Sequence, residues 1–459
     1  LLPLGAYTLF AALSHHSGRM VWYGLPFIFF SAFQVVLSYL FGGSVVAADM
    51  FLNLTTTNTG EAGELLANIY PSVIAVFVIY LPLLYLATQH IISKVQLKER
   101  MRRRMLIGGA VTMLAGCITL FAGCRGEVRK TLRDEVFPIN VAYNMGLAIS
   151  EANKIANFPT TSQGFTFEAE RKAEPEEREI YVMVIGEAAR AASWQMYGYE
   201  RETNPLLSQR EDIVLFRQIT TQSNTTHKSV PLMLSSVDAA EYSELFNRKG
   251  VADLFRQSGF RTYFLSTQSP QGAMVDNFAR ECDEVIYIGS PSDDWQLVQM
   301  MQRIVESEPE TDMFFILHSY GSHYRYNQRY LPHFALFRPD DGSVVNERNI
   351  EALRNAYDNS VLYTDYLINQ LAEYLCSLEA CSAMLYCSDH GEDLFDDGRG
   401  MFLHSSPRVT YYQLHIPCLV WLSAKYRESY PTKVALLQQH RWSPASTSAI
   451  FHTLADITS

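Results

Sequence analysis

Long apolar runs are concentrated at the start of the chain. Residues 21–41 (VWYGLPFIFFSAFQVVLSYLF) carry no charged side chain, and two further runs cover about residues 70–92 and 105–124. A helix needs about 20 apolar residues to cross the roughly 30 Å hydrocarbon core of a bilayer. The pattern therefore predicts three membrane-spanning helices, with residues 1–13 as the end of a fourth. Recurring spans do not fit a signal peptide, and because the sequence begins with Leu1 we expect the natural N-terminus to precede it.

The basic residues of this segment predict its orientation. The link between the second and third spans is basic, and it contains Lys94, Lys98, Arg100, Arg102, Arg103 and Arg104. Residues 42–69 contain no Lys or Arg. Because basic loops stay on the cytoplasmic side, residues 42–69 and everything after about Cys124 are expected outside the cytoplasm.

After the spans, the pattern changes to short apolar runs that alternate with amphipathic stretches. This alternation predicts an α/β domain with a mostly parallel sheet. The stretch before it is helical in pattern and then charged (EAERKAEPEEREI), which is typical of a connector. We therefore expect a membrane domain over residues 1–124, a connector over residues 125–178 and an extracytoplasmic domain over residues 179–459.

Four of the apolar runs end in polar residues, which points to one shared site. Residues 180–185 lead to Glu187, residues 262–265 to Gln268, residues 313–317 to His323, and residues 384–387 to Asp389 and His390. In open α/β sheets, ligands bind outside the carboxyl ends of the strands. We therefore expect these side chains to converge at one edge of the sheet.

Carboxylates and imidazoles together suit zinc, which takes oxygen and nitrogen ligands in a four-coordinate site. The candidates are Glu187, His323, Asp389, His390 and His404. Taken alone, Glu187 also fits a residue favoured by a helix dipole, and a single histidine is usually structural. The segment Asp-His-Gly-Glu directly after an apolar strand favours the metal interpretation.

A candidate nucleophile lies in residues 222–236 (QSNTTHKSVPLMLSS), where a polar loop leads into an apolar run. The backbone N–H groups at the start of such a helix can hold a phosphate. Metal coordination activates a threonine hydroxyl, which is otherwise a poor nucleophile. Thr225 and Thr226 are both candidates, and an ordinary helix N-cap at either position is the alternative.

Composition and charge narrow the classes of function. The chain has 459 residues, of which 48% are hydrophobic and 19% charged, and a formal net charge of -11. These values exclude a disordered chain and a collagen-like repeat, and they argue against a nucleic-acid partner held by a basic surface. Of the seven cysteines, Cys376 and Cys381 are the close pair in the α/β domain and a candidate disulfide.

These segments resemble a known family. Residues 184–205 (VIGEAARAASWQMYGYERETNP) are similar to a Gly-Glu-Thr-Ala-Arg segment and the following Gly-Tyr-x-Arg-x-Thr-x-Pro of the lipid A phosphoethanolamine transferases. That family includes the mobile colistin-resistance enzymes and belongs to the alkaline phosphatase and sulfatase superfamily. The resemblance implies an alkaline-phosphatase-like α/β/α domain after the membrane helices. It also implies site roles: zinc ligands at Glu187, Asp389 and His390, the phosphate-accepting and metal-contacting hydroxyl at Thr226, and histidines near the transferred phosphate or a second metal at His323 and His404.

The resemblance extends to the loop between the membrane spans and has departures. Asn53, Thr57 and Glu61 are spaced by four residues, and they fall where the family contacts the phosphoethanolamine group. Ala188 replaces the Thr of Gly-Glu-Thr, which removes no ligand. In residues 268–272 the family often offers a lysine to the substrate, whereas this chain has Gln271, and Gln268 is the substrate-binding candidate there.

The resemblance implies zinc-dependent transfer of phosphoethanolamine from phosphatidylethanolamine to a phosphate of lipid A through a phosphothreonine. It further implies one tight zinc site with a second ion left open, a monomer, a bacterial inner membrane location with the catalytic domain in the periplasm, and a role in polymyxin resistance. Three alternatives stay open: a glycerol-phosphate transferase of the lipoteichoic acid synthase kind, a phosphoethanolamine transferase acting on another envelope glycan, and a non-catalytic envelope scaffold or sensor. The chain has no Cys-x-Pro-x-Arg segment for the modified nucleophile of a sulfatase.

Overall fold

The structure is a computed structural model, and it describes residues 1–40, 51–52, 59–123, 127–134, 136–169, 177–289, 293–341, 347–406 and 408–458. The chain divides into two compact units. One comprises residues 1–54 and 65–151, and the other comprises residues 55–64 and 152–459.

The N-terminal part of the described chain is helical. Its helices are Leu2–Ala12, Ser17–Tyr23, Leu25–Leu40, Thr59–Ile92, Glu99–Gly123, Val128–Asp134 and Ile139–Thr161. Among the described residues, Tyr70–Ile92 and Glu99–Gly123 are long and apolar enough to cross a membrane. These two match the second and third predicted spans.

The first predicted span, residues 21–41, is not one straight helix. The helices Ser17–Tyr23 and Leu25–Val36 meet at an angle of 61°, so they make a span only if the bent pair is counted as one. The break falls at Gly24, two residues before Pro26. Proline has no backbone N–H and clashes with the preceding turn, which accounts for a helix boundary here. Leu2–Ala12 is apolar but shorter than a span.

The second unit is built on a seven-stranded sheet within its described residues. The strands are β1 Glu179–Gly186, β2 Ile213–Phe216, β4 Arg261–Ser266, β5 Glu284–Tyr287, β6 Met313–His318, β7 Cys381–Ser388 and β10 Cys418–Leu422, in the order β2-β10-β7-β1-β6-β4-β5. Two-stranded sheets join β3 (Ile219–Thr220) to β11 (Ala445–Ser446), and β8 (Asp393–Leu394) to β9 (Phe402–Leu403). All pairs from β7 to β5 are parallel, whereas β10 runs antiparallel to β7 and to β2.

The four strands expected from the sequence, β1, β4, β6 and β7, are neighbours at the centre of the sheet, which confirms the mostly parallel α/β fold. Every residue of β1 is buried. Tyr181 and Ile185 pack into one hydrophobic cluster, and Ile180 and Val182 pack into a second. Because parallel sheets are covered on both faces, such strands appear in the sequence as continuous apolar runs.

Helices of the second unit pack against this sheet. They are Thr226–Leu234, Val251–Gln257, Met274–Ala279, Trp295–Ser307, Ile350–Ser377, Tyr411–Leu414, Ala424–Ser429, Pro431–His440 and Ser448–Ile457. The helix Ile350–Ser377 packs on the face formed by Ile180, Val182 and Val184, whereas the helices around Val251 and Ile450 pack on the face formed by Met183 and Ile185.

The candidate disulfide between Cys376 and Cys381 is not present. Both cysteines are free, with Cys376 exposed and Cys381 buried. Cys376 belongs to the last turn of a helix and lies 3.9 Å from Nη2 of Arg210. Cys381 begins β7. The turn between helix and strand therefore places the two thiols in different surroundings.

Candidate metal centre and nucleophile

Two central strands bring three of the predicted site residues together. Glu187 follows β1, and Asp389 and His390 follow β7. Gly186 and Ser388 are partners in the parallel register, and the Asp389 N–H donates to the Gly186 carbonyl at 2.9 Å. Each of the three side chains is no more than 1% exposed. The strand ends therefore meet as the sequence predicted.

Thr226 is the hydroxyl that the fold places beside these residues. It is the first residue of the helix Thr226–Leu234, and Thr225 is the N-cap, without a capping side-chain bond. The Thr226 Oγ1 atom lies 3.3 and 3.4 Å from the two carboxylate oxygens of Glu187 and 3.2 Å from Nε2 of His390. The Thr225 hydroxyl instead contacts Ser223 Oγ at 3.1 Å.

The loop after β7 is fixed by hydroxyl groups from the nucleophile segment. The Thr221 hydroxyl donates to the Asp389 carbonyl at 2.6 Å, and the Ser229 hydroxyl donates to the same oxygen. Both donors are buried. These bonds hold the start of the helix that carries Thr226 against the strand end that carries Asp389 and His390.

The protonation state of His390 indicates where a cation would bind. Its Nδ1 atom lies 3.0 Å from the Gly391 carbonyl, which can only accept, so Nδ1 carries the proton. Burial lowers the pKa of His390 to about 4, so the ring is neutral. Its Nε2 lone pair then faces Oε1 of Glu187 at 3.4 Å and Oδ2 of Asp389 at 3.2 Å. The Nε2 atom of His390 and these two carboxylate oxygens are therefore acceptor atoms that converge on one point.

These spacings fit zinc. Ligands about 2.0 Å from a tetrahedral zinc lie roughly 3.3 Å from one another, and the contacts around Nε2 measure 3.2 to 3.4 Å. The Oδ2 atom of Asp389 is buried and, within the described residues, has no hydrogen-bond donor. Burial also raises the pKa of Asp389. A cation bound there would stabilise the ionised form of this buried carboxylate.

His404 joins the same group of atoms. Glu187, His390 and His404 each offer a ligand atom within 4.8 Å of the others. The Nδ1 atom of His404 lies 2.7 Å from Oε2 of Glu392, and the Tyr326 hydroxyl donates to the other Glu392 oxygen at 2.7 Å. Burial lowers the pKa of His404 to about 4. Glu392 is not among the site residues expected from the sequence, although its place in Asp-His-Gly-Glu is a signal for a role in the site.

Gln268 lies behind Glu187. Its Nε2 atom donates to Oε2 of Glu187 at 3.0 Å and to the Ser319 carbonyl at 2.8 Å. Its Oε1 atom accepts from Gln271 at 3.0 Å. These contacts orient the Glu187 carboxylate, a role that the sequence did not indicate.

The turn after β6 brings His323 close to His404, with ring centroids 6.4 Å apart. Burial lowers the pKa of His323 well below its usual range. The buried carboxylate of Asp294 accepts from the backbone N–H groups of Tyr320 and Gly321 at 2.7 and 2.8 Å. Gly321 has a φ of +52°, and a Cβ there would lie 2.8 Å from the Glu187 carbonyl oxygen. The turn therefore packs directly on the Glu187 backbone.

The residues predicted between the membrane spans are not brought to this site by anything that the structure describes. Asn53 and Thr57 lie outside the described residues. Glu61 belongs to the helix Thr59–Ile92, of which only the backbone is described at this position. Their contact with a phosphoethanolamine group stays a prediction.

Family models cover most of the chain. Residues 179–459 match the Sulfatase model, and residues 9–152 match the model of Phosphoethanolamine transferase EptA/EptB. The chain therefore belongs to the sulfatase family. The N-terminal match is to phosphoethanolamine transferases of the EptA/EptB kind, and it agrees with the resemblance found in the sequence.

Individual relatives agree with these two matches. The chain is 32% identical to the phosphatidylethanolamine transferase Mcr-2 of Escherichia coli, over 64% of this chain and 58% of that protein. It is 29% identical to the soluble domain of lipooligosaccharide phosphoethanolamine transferase A from Neisseria meningitidis, with a TM-score of 0.57 over 62% of this chain and 89% of that one. The integral membrane EptA from the same organism, at 21% identity, shares the fold with a TM-score of 0.72 over 99% of this chain and 95% of that one. The chain spans about half to three fifths of the length of the curated relatives it matches.

Proposed function

We propose that this chain transfers phosphoethanolamine from phosphatidylethanolamine to a phosphate of lipid A. The observation that carries the proposal is the Thr226 hydroxyl, which lies at the start of a helix and within 3.4 Å of Glu187 and His390. The EptA/EptB match supports the transferred group. The names of two relatives, a phosphatidylethanolamine transferase and a Kdo(2)-lipid A phosphoethanolamine transferase from Escherichia coli, support the donor and the acceptor.

Glu187, Thr226, Asp389 and His390 are the residues that would hold a zinc ion. Bound there, zinc would act as a Lewis acid toward the Thr226 hydroxyl and the phosphoryl oxygens. The supporting observation is the convergence of acceptor atoms around Nε2 of His390. His404 supplies a further nitrogen nearby, so a second ion has a candidate ligand.

The chain's own residues then divide the reaction into two transfers. The Thr226 Oγ attacks the phosphorus of the donor, the bond to the diacylglycerol oxygen breaks, and phosphoethanolamine remains on Thr226. A neutral imidazole, His404 or His323, accepts the Thr226 proton and returns it to the departing diacylglycerol oxygen. A phosphate oxygen of lipid A next attacks the same phosphorus, the bond from phosphorus to Thr226 Oγ breaks, and the proton of the acceptor phosphate passes through the imidazole to Thr226. Backbone N–H groups at the start of the helix hold the phosphoryl oxygens.

The proposed location is the bacterial inner membrane, with the α/β domain in the periplasm. Two helices are long and apolar enough to span a membrane, and the link between them is basic. A membrane anchor suits this reaction because donor and acceptor are both lipids. Capping a lipid A phosphate with an ethanolamine group would reduce its negative charge and weaken its binding to cationic polymyxins.

Mass spectrometry of lipid A tests this function. Cells that express the chain should contain lipid A that is heavier by one phosphoethanolamine group, whereas cells that express Thr226→Ala should not. Intact-protein mass after incubation with phosphatidylethanolamine should show the same group on the wild-type chain. Unmodified lipid A together with a phosphoethanolamine adduct on Thr226 would show that the acceptor is not lipid A, and another envelope glycan would then be the candidate acceptor. A glycerol-phosphate adduct would overturn the donor.

A further inference from the structure

Two buried cysteines face each other next to the candidate metal centre. Cys387 lies near the end of β7, and Cys418 is the first residue of β10. The two are direct partners in the antiparallel register of these strands. They are 0% and 2% exposed and point into the same hydrophobic cluster. Both thiols are free in the structure.

The hydrogen-bond pattern shows which kind of antiparallel pair they form. The Ser388 N–H donates to the Pro417 carbonyl at 3.2 Å, so Ser388 and Pro417, the pair next to the two cysteines, are the hydrogen-bonded pair. The Cys418 N–H instead donates to the Tyr197 hydroxyl at 2.9 Å. Cys387 and Cys418 therefore occupy a non-hydrogen-bonded pair, in which the Cα atoms lie about 4.5 Å apart and the side chains approach each other. Disulfides join Cα atoms about 4.4 to 6.8 Å apart.

We propose that Cys387 and Cys418 form a cross-strand disulfide. A disulfide donor, either a protein dithiol oxidase or glutathione disulfide, is the oxidant. The two thiols lose two protons and two electrons, a bond forms between their sulfur atoms, and the donor is reduced to two thiols. Because both thiols are buried in the folded domain, the exchange takes place before β10 docks on β7. The proposal requires an oxidising compartment, such as the proposed periplasm, and it does not depend on the transferase reaction.

The other cysteines of the α/β domain lack this arrangement. Cys282 is buried in the turn between the helix Met274–Ala279 and β5, and Cys376 is exposed while Cys381 is buried. In the described residues, only Cys387 and Cys418 are partners on adjacent strands. The geometry thus selects one pair, and it is not the pair that is closest in sequence.

A disulfide between Cys387 and Cys418 would affect the candidate metal centre through the backbone. Cys387 comes two residues before Asp389, and the Gly391 N–H donates to the Gln413 carbonyl at 2.8 Å, just before β10. A disulfide would join the two segments that carry these contacts and would close a loop of about 30 residues. Oxidised protein should therefore melt on the order of 5–10 °C above reduced protein.

Counting thiols in the full-length protein tests the proposal. Protein purified in detergent without reductant is incubated with glutathione disulfide during refolding, then denatured and alkylated, and its intact mass is measured. The seven cysteines should give five alkylated thiols. Cys387→Ala and Cys418→Ala should each give six, because the remaining partner becomes free. The matched variants Cys376→Ala and Cys381→Ala should each give four.

Each other pattern overturns the proposal. Seven alkylated thiols in the wild-type protein would show that no disulfide forms. Six thiols in Cys376→Ala and Cys381→Ala, with four in Cys387→Ala, would assign the bond to the other pair. If a variant fails to fold, the wild-type protein is sufficient for the test. Its thiol count shows whether a disulfide forms, and fragmentation of the non-reduced protein identifies the linked peptides. None of these measurements depends on transferase activity, so a failure of the disulfide proposal can be distinguished from a failure of the proposed function.

Discussion

The Nδ1 atom of His404 lies 2.7 Å from Oε2 of Glu392, and the Tyr326 hydroxyl holds the opposite oxygen of the same carboxyl group at 2.7 Å. This chain of contacts fixes the imidazole ring and leaves its other nitrogen for the site. Carboxyl groups behind metal-binding histidines commonly orient the ring in this way.

Glu392→Gln should weaken this orientation. We expect zinc affinity to fall about 10–100-fold and lipid A modification to fall with it, because the ring of His404 loses the carboxyl group that orients it. Tyr326→Phe should have a smaller effect in the same direction. Competition with a chelator measures the affinity. Glu241→Gln, at an exposed position, is the control, and equal affinities for it and Glu392→Gln would contradict the role of Glu392.

Thr226→Ala should abolish the covalent adduct and the transfer, while the protein keeps its melting temperature. The hydroxyl lies among the site residues and supports no core packing. Thr225→Ala is the matched control, because Thr225 Oγ1 contacts Ser223 and not the site. Intact-protein mass after incubation with the donor lipid checks both variants. An adduct that persisted in Thr226→Ala and vanished in Thr225→Ala would reverse the assignment.

Asp389→Asn and His390→Ala should each lower the bound zinc. Each change removes one proposed ligand, and elemental analysis after dialysis measures the metal per chain. Asp397→Asn changes an exposed carboxylate in the same segment and should leave the metal unchanged. If the zinc content of all three variants equalled that of the wild type, the metal would lie elsewhere in the protein.

Gly321→Ala should displace Glu187. The added Cβ would lie 2.8 Å from the Glu187 carbonyl oxygen and 2.9 Å from its nitrogen, so that backbone must move. We expect loss of zinc and of transfer, together with a lower melting temperature. Gly259→Ala imposes a similar backbone cost, since Gly259 also has a positive φ, but its Cβ would meet nothing within 4 Å. It should reduce stability while leaving the zinc content intact.

Glu281 makes the stability of the domain depend on pH. Burial raises the pKa of its carboxyl group to about 8, and Oε2 accepts the Gly250 N–H at 2.7 Å. In the unfolded chain the group titrates near 4.3. The folded state therefore binds a proton more tightly, and its contribution is complete below about pH 4.3 and is lost as the pH rises through about 8.

Glu281→Gln should remove this dependence, because the amide never ionises. Between pH 5 and 8 the wild-type protein should lose on the order of 2–4 kcal/mol more stability than Glu281→Gln. Denaturant unfolding of the detergent-solubilised protein at each pH measures the difference. Glu284→Gln, at an exposed position of β5, should behave like the wild type. Parallel stability curves for the wild type and Glu281→Gln would show that the buried carboxyl does not control the pH response.

The sequence was most informative where apolar runs end in polar residues. It predicted β1, β4, β6 and β7 and the meeting of Glu187 with Asp389 and His390, because parallel strands end at one edge of a sheet. It did not decide whether Thr225 or Thr226 is the nucleophile, since that choice depends on where the helix begins and which hydroxyl turns inward.

Other features depend on contacts that no local pattern records. Glu392 holds His404 across a loop, and Gln268 reaches Glu187 from a different strand. The break at Gly24 interrupts a run that by hydropathy alone predicts one span. Cys387 and Cys418 are partners through strand register, which the spacing of cysteines in the sequence does not record.

The strand order has a consequence for how the protein becomes functional. The neighbours β1 and β7 are separated by roughly 200 residues of sequence, and pairings over such distances form slowly. Glu187, Thr226 and His390 therefore come together only after most of the α/β domain has been made and folded. A chain that is cut or still incomplete before β7 lacks Asp389 and His390, so metal uptake would mark the completion of folding.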